Sequence, residues 1–282
     1  MLSLIWRTAP FLLLLANSDL AATNYTVDVT MPKPVGMKLV WHDEFNGRKL
    51  DRKKWDFDTS RNKLGWYNGE RQYYAAGRPE NVRVTDGHLV IEARHEKLDP
   101  ATTPDWGGQD YTSAKLVGRA DWTYGLYQIR AKLPCARGTW PGIWMLPKTG
   151  TWPDDGEIDI MEQVGSQPNI VHATLHTELF VHSKGTQRGA EYSVPTSCIE
   201  FHTYELDWQP QSITIGVDGH GYMRVLNDQP GGRGAWPFDD PFHLILNLAI
   251  GGSWAGAKGI DDAAMPQQML VDWVRVYQRK KG

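Results

Sequence analysis

The sequence predicts an all-β protein, and three observations carry that reading. Residues 82–91 and 213–219 each place an Asp-Gly pair, Asp86-Gly87 and Asp218-Gly219, against alternating residues, which is the strongest short-range signal of a β-hairpin. Alternating runs recur between them, at 124–133, 142–146, 170–177 and 204–208. No stretch sustains an apolar 3.6-residue period over three turns. Many short strands separated by turn signals call for two antiparallel sheets stacked face to face.

Along the chain, residues 1–22 carry Arg7, an apolar run at 11–16 and Ala21-Ala22, the pattern of a secretory signal peptide, although Leu20 stands where a small residue is usual. The run is too short to span a bilayer. A secreted or periplasmic protein is therefore expected. Residues 23–36 are polar and broken by Pro32 and Pro34, as in a linker or a tied-down N-terminal arm. The β domain is expected over 37–282. It opens with a strand at Leu39-Val40-Trp41, and Lys53-Lys54-Trp55 with the polar residues after it reads as loop. No repeat, low-complexity tract or second domain interrupts it.

With 282 residues and a formal net charge of −3, signs interspersed, the chain has no basic footprint for nucleic acid and no polybasic membrane patch. An uncharged partner fits better. Its 13 Trp outnumber 11 Tyr and 7 Phe, an order that suits a protein stacking flat rings on sugars. The two cysteines, Cys135 and Cys198, read equally as a bridge and as two unpaired thiols.

The candidate active strand is residues 152–165, where Glu157, Asp159 and Glu162 interrupt an otherwise apolar run. Strand alternation puts Glu157 and Asp159 on one face and Ile158 and Ile160 on the other, leaving Glu162 out of phase. A β-bulge at Ile160-Met161, with Met161 as the extra residue, would return Glu162 to the carboxylate face. Two residues along a strand span about 6.6 Å. Two carboxyls about 5–5.5 Å apart are the geometry of a retaining glycosidase. Crowded like charges keep one proton bound, and Glu162 is the expected holder. The plain alternative is a strand with a solvated acidic face. That alternative gives no reason for a bulge.

The stretch Glu157-Ile158-Asp159-Ile160-Met161-Glu162 resembles the bulged active-site signature of family sixteen of the glycoside hydrolases, laminarinase type (endo-1,3-β-glucanase). The resemblance runs from Trp41-His42-Asp43-Glu44-Phe45-Asn46-Gly47 to Val271-Asp272-Trp273-Val274-Arg275-Val276-Tyr277. It implies a β-jelly-roll sandwich with a concave substrate cleft and a catalytic domain over 37–282. Glu157 would be the nucleophile, Glu162 the acid/base, and Asp159 the residue that orients and tunes the nucleophile. The implied reaction is retaining hydrolysis of internal β-1,3-glucosidic bonds of a β-glucan by a monomer, without a required cofactor.

Two indoles four residues apart, Trp140 and Trp144, share a strand face and read equally as a core pair. Similarity to the family's W-P-x-x-W stretch places them in the cleft. The resemblance also implies sugar contacts for Asn68 and Glu70 in the loop at 66–74, for His176 beside the acids, and for Asn247 and Trp254 in L-N-x-A-x-G-G-x-W-x-G. Otherwise Asn68 and Glu70 are ordinary turn formers. His172 shares a face with Thr174 and His176 and reads as a surface histidine. Zinc at these two histidines is disfavoured without a third ligand. A structural Ca²⁺ is implied, held by backbone oxygens of Glu44 and Gly87 and the carboxylate of Asp272, itself otherwise a strand-edge acid. Rival functions are a mixed-linkage β-glucanase, galactanase or transglycosylase of the same fold, and a non-catalytic β-glucan-binding lectin.

Overall fold

The computed structural model describes residues 25–279. The expected signal peptide at 1–22 lies outside the described residues. Eighteen strands follow in chain order: β1 (Thr26–Thr30), β2 (Met37–Asp43), β3 (Trp55–Phe57), β4 (Gln72–Tyr74), β5 (Val82–Thr85), β6 (His88–His95), β7 (Tyr111–Ser113), β8 (Lys115–Trp122) and β9 (Gly125–Lys132). The second half adds β10 (Thr139–Pro147), β11 (Glu157–Glu162), β12 (Ile170–His176), β13 (Arg188–Ser193), β14 (His202–Gln209), β15 (Ser212–Val217), β16 (His220–Leu226), β17 (Phe242–Ile250) and β18 (Gln267–Arg279). Among the described residues the one α-helix is Gly252–Ala255, and no helix is long and apolar enough to cross a membrane.

The strands form two sheets. One has eleven strands, running β1-β16-β15-β14-β9-β18-β6-β7-β4, with β2 on β18 and β5 on β6. The other has seven, in the order β13-β12-β11-β10-β17-β8-β3. All pairs are antiparallel except β4 with β7. Both Asp-Gly turns close as expected: Asp86 and Gly87 take φ of 51° and 77°, Asp218 and Gly219 of 51° and 82°, the left-handed pair a two-residue hairpin requires.

Alternation decides which side chains fill the space between the sheets. In the seven-stranded sheet Ile143 and Met145 of β10, Ala173 and Leu175 of β12, and Leu244, Leu246 and Leu248 of β17 enter the common core. Their neighbours in sequence, among them Trp144, Thr174 and Asn247, therefore stand on the outer face. From the eleven-stranded sheet, Trp208 of β14 meets Phe242 of β17 edge-on at 5.3 Å and donates its indole N–H to the Phe238 carbonyl at 3.0 Å. Such contacts fix the two layers as one body.

Three readings are refined. Residues 53–57 are not simply loop, because Trp55–Phe57 forms the edge strand β3 on β8. Trp55 is wholly buried and gives its indole N–H to Asp43 at 2.9 Å, an anchor that no alternation in the short polar segment announces. Residues 26–30 of the expected arm pair with β16. Cys135 and Cys198 are joined in a disulfide.

Candidate active site

The bulge exists, and it sits where the carboxylates need it. β11 pairs with β12 through Asp159 opposite Thr174 and then Glu162 opposite His172, so Ile160 and Met161 together face one residue, Ala173. Toward β10 the register passes from Trp144 opposite Asp159 to Ile143 opposite Met161. The residue β10 skips is Ile160, not Met161 as expected. Both side chains are fully buried in the core, because two consecutive residues point inward there and the phase shifts by one. Glu157, Asp159 and Glu162 consequently share the outer face.

On that floor Glu157 lies opposite His176, and Glu162 lies between Gly142 and His172. The indole of Trp152 donates to Glu157 Oε2 at 2.5 Å, and that of Trp140 donates to Glu162 Oε1 at 2.9 Å. His176 Nε2 stands 3.4 Å from Asp159 Oδ2. Asp159 is 4 % exposed, while the two glutamates keep part of their surface open to the cleft. Burial, reinforced by the Asp159 charge, pushes the Glu157 carboxyl up to about 8. Burial raises Asp159 as well. Glu162 is raised well above its ordinary value, by burial and by both neighbouring acids. Three carboxyls this close titrate as one group, which keeps a proton above the ordinary carboxylate range.

The wall of the cleft is built by tying the loop at 66–74 to the loop after β17. Glu70 bridges to Gly251, the Arg71 amide donates to the Ile250 carbonyl at 2.8 Å, and the Ile250 amide donates to Gln72 Oε1 at 2.8 Å. Asn68 takes a left-handed φ of 58° and Glu70 accepts from Gln72 Nε2 at 2.9 Å, with burial raising the Glu70 carboxyl. Asn247 is held inside the floor: its Oδ1 accepts from the Trp144 indole at 2.7 Å and its Nδ2 donates to the Tyr74 hydroxyl at 2.9 Å. Trp254 meets Trp140 edge-on at 5.2 Å and His172 at 4.9 Å. Of the expected cleft residues, Trp140, Trp144 and His176 thus adjoin the acids directly, Trp254 packs on Trp140, and Asn68 and Glu70 stand in the wall.

Several neighbours escaped the sequence reading. His182, whose ring lies 5.1 Å from His176 and 5.6 Å from Trp152, is one, and Trp152, which opens the candidate stretch, was given no role of its own. Lys115 is buried on β8 opposite Asn247, paired with Asp58 at 2.9 Å and lying over the Trp66 and Trp144 rings at 5.0 and 4.9 Å. A lysine between Ala114 and Leu116 was the available signal. His172 is not a plain surface histidine: its ring is half-buried against Trp254 because it faces the cleft, and its Nε2 has no partner.

Two places bear on metal binding. Ligand atoms of Glu157, Asp159 and His176 lie within 4.8 Å of one another, inside the acid cluster itself. The implied calcium residues converge on β18: Asp43, before Glu44, pairs with Val274, and Leu89, just after the Gly87 turn, pairs with Val271, so Asp272 lies between them. The Glu44 carboxylate is taken by Arg275, at 2.9 and 2.8 Å, which leaves its backbone oxygen as the donor. Asp272 Oδ2 accepts from Arg130 at 2.7 Å, and among the described residues Oδ1 has only His88 Nε2 near it, at 4.0 Å. An all-oxygen set of two carbonyls and one carboxylate fits Ca²⁺.

A buried trio of proton-sharing carboxyls on a tryptophan-walled sheet face, in a two-sheet β-sandwich, defines a glycoside hydrolase. The family model for glycosyl hydrolases family 16 matches residues 69–275. The chain belongs to that family. It is 50 % identical over 253 residues to a beta-glucanase of Rhodothermus marinus, covering 86 % of this chain and 85 % of that protein. Among solved structures it resembles SCLam, a non-specific endo-β-1,3(4)-glucanase from family GH16, with a TM-score of 0.88, 52 % identity, and 93 % and 98 % of the two chains covered. It also resembles the laminarinase from Rhodothermus marinus, with a TM-score of 0.80, 48 % identity, and 86 % and 97 % covered.

The raised Glu162 carboxyl has a consequence for stability. A carboxyl whose pKa is higher folded than unfolded contributes fully below its unfolded value, about 4.3, and that contribution is lost as pH rises toward the folded value. Glu162→Gln removes the ionisation. The Tm of the variant should therefore gain on wild type steadily from pH 5 to pH 8 in thermal melts; a difference independent of pH would mean that Glu162 does not hold its proton.

Proposed function

We propose that this chain is a retaining endo-1,3-β-glucanase, cutting internal β-1,3-glucosidic bonds by double displacement. The observation that carries the proposal is the bulge that sets Glu157 and Glu162 on one face, each with its own indole donor. Glu157 is the nucleophile. Trp152 occupies its Oε2 and stabilises negative charge there, leaving Oε1 to attack the anomeric carbon. Glu162 is the acid/base: Trp140 occupies Oε1, so Oε2 carries the proton to the departing oxygen and later takes one from water. The raised Glu162 carboxyl supports this division, because a general acid must hold its proton at the working pH. Asp159, between the two and against His176, orients and tunes the nucleophile.

The substrate reading rests on the relatives' glucanase and laminarinase names and on a cleft floor bent by the bulge, which suits the curved β-1,3-glucan chain. The protein acts as a monomer in this reading, since the acids and both indole donors come from one chain. Export is supported by the leader sequence and by the disulfide, which persists in oxidising compartments. Glu44, Gly87 and Asp272 would hold a Ca²⁺ ion that braces the eleven-stranded sheet, away from the chemistry.

Glu157→Gln and Glu162→Gln should each lower laminarin kcat by at least about 10³-fold with the melting curve still cooperative, and Asp159→Asn by less. Wild-type turnover in either glutamine variant would end the assignment. Laminarin should be cut faster than lichenan, and agarose not at all; reducing-sugar assays showing lichenan preferred would remove the linkage claim. Chelator should lower Tm without abolishing activity at moderate temperature. Unchanged melting in chelator and in Asp272→Ala would rule out the ion.

A further inference from the structure

Glu162 is the last residue of β11, and the direction in which its backbone leaves the sheet is set by Gln163 and the residues beyond it. Gln163 is completely buried. Its side-chain amide spans two segments that are distant in sequence. Nε2 donates to the Pro134 carbonyl at 3.2 Å and to Cys135 Sγ at 3.1 Å, while Oε1 accepts from Ser197 Oγ at 2.9 Å and from the Asn169 amide at 3.1 Å. The disulfide between Cys135 and Cys198 joins the same two segments. Gln163 and the bridge are thus parallel fasteners, one of them attached directly to Glu162. Two residues on, the Gly165 amide donates to the Thr139 carbonyl at 2.9 Å. A Cβ at Gly165 would fall 1.8 Å from the Ala136 carbonyl oxygen, so the chain after Glu162 lies flush against the segment that leads to Trp140.

We propose that Gln163 is a positioning residue for Glu162, and that the Cys135–Cys198 bridge controls the acid by holding the two segments that Gln163 spans. The proposal rests on Glu162 being the acid/base. The bulge fixes the approach to Glu162 from the N-terminal side, but nothing in it fixes the exit. Without the amide, Pro134 and Ser197 lose their common partner, and the exit of Glu162 rests on two backbone bonds, the Gln163 amide on the Pro141 carbonyl at 3.4 Å and the Gly165 amide on the Thr139 carbonyl. A displacement of about 1 Å of a proton donor costs on the order of 10²-fold in rate. The bridge is reachable: both cysteines are partly exposed and line a surface groove of about 390 Å³ together with Lys132, Pro134 and Gln268. A dithiol such as dithiothreitol opens it by two exchanges, a thiolate displacing one cysteine sulfur and the second thiol releasing the other. The products are two cysteine thiols and the cyclic disulfide of the reagent.

The test separates proton donation from general damage by changing the leaving group. An activated 2,4-dinitrophenyl β-laminaribioside departs without a proton, whereas laminarin requires one, and kcat/KM for both reports only the steps through departure of the leaving group. Gln163→Leu, and separately wild-type protein with the bridge reduced, should each lose about tenfold or more in kcat/KM on laminarin and stay within about twofold on the aryl substrate. Glu162→Gln calibrates the assay by showing the same split in larger form. If Glu162→Gln does not split the substrates, the assignment of the acid fails and the role of Gln163 falls with it. If it does, and Gln163→Leu lowers both substrates in parallel or neither, Gln163 does not position the acid. A reduced protein with an unchanged ratio removes the bridge from the proposal.

Discussion

One residue too many in one strand is the constraint on which the site depends. Ile160 and Met161 both enter the core opposite Ala173, and the apolar space between the sheets is what holds the bulge in place. Removing either inward residue would leave a cavity or force Glu162 to turn inward, where a carboxyl has no partner. The hydrophobic core therefore does more than stabilise the sandwich. It sets the phase that makes three acids neighbours.

Once neighbours, the acids cannot all be charged, and the rest of the floor is arranged around that fact. Each glutamate receives one indole N–H, so each has one committed oxygen and one available oxygen. Asp159, the most deeply buried of the three, lies between them against His176. Lys115, on the same floor, is held by Asp58, and burial outweighs the attraction of His176 and Lys115 for Glu157. Desolvation is thus left to raise the carboxyls, which is the condition under which one of them can serve as an acid near neutral pH.

Much of the architecture was legible because it depends on local chemistry. The Asp-Gly hairpins are recognisable since only a few residues tolerate two successive left-handed positions, and the inward and outward faces of β10 and β12 follow from a period of two. The three acids were legible for the opposite reason, because they break that period. The bulge was placed within Ile160-Met161 but assigned to Met161 where β10 skips Ile160, since the partner strands decide which residue is extra. Trp55 and β3 were missed because a three-residue edge strand is too short to show alternation. Trp152 reaches Glu157, and His182 reaches His176, from segments outside the strands, where side-chain direction is set by tertiary packing and leaves no periodic trace. Whether Cys135 met Cys198 depended on a distance between segments 63 residues apart, which sequence does not contain.

The central claim is that the bulge delivers Glu157 as nucleophile and Glu162 as its acid/base partner. Incubation with a 2-deoxy-2-fluoro β-laminaribioside bearing a good leaving group, followed by proteolysis and mass spectrometry, reads the nucleophile directly, because the fluorine slows release of the glycosyl-enzyme. The account predicts a single modified residue, Glu157, in wild type and in Glu162→Gln alike. Label on Asp159 or Glu162, or no covalent adduct despite turnover of laminarin, would contradict it.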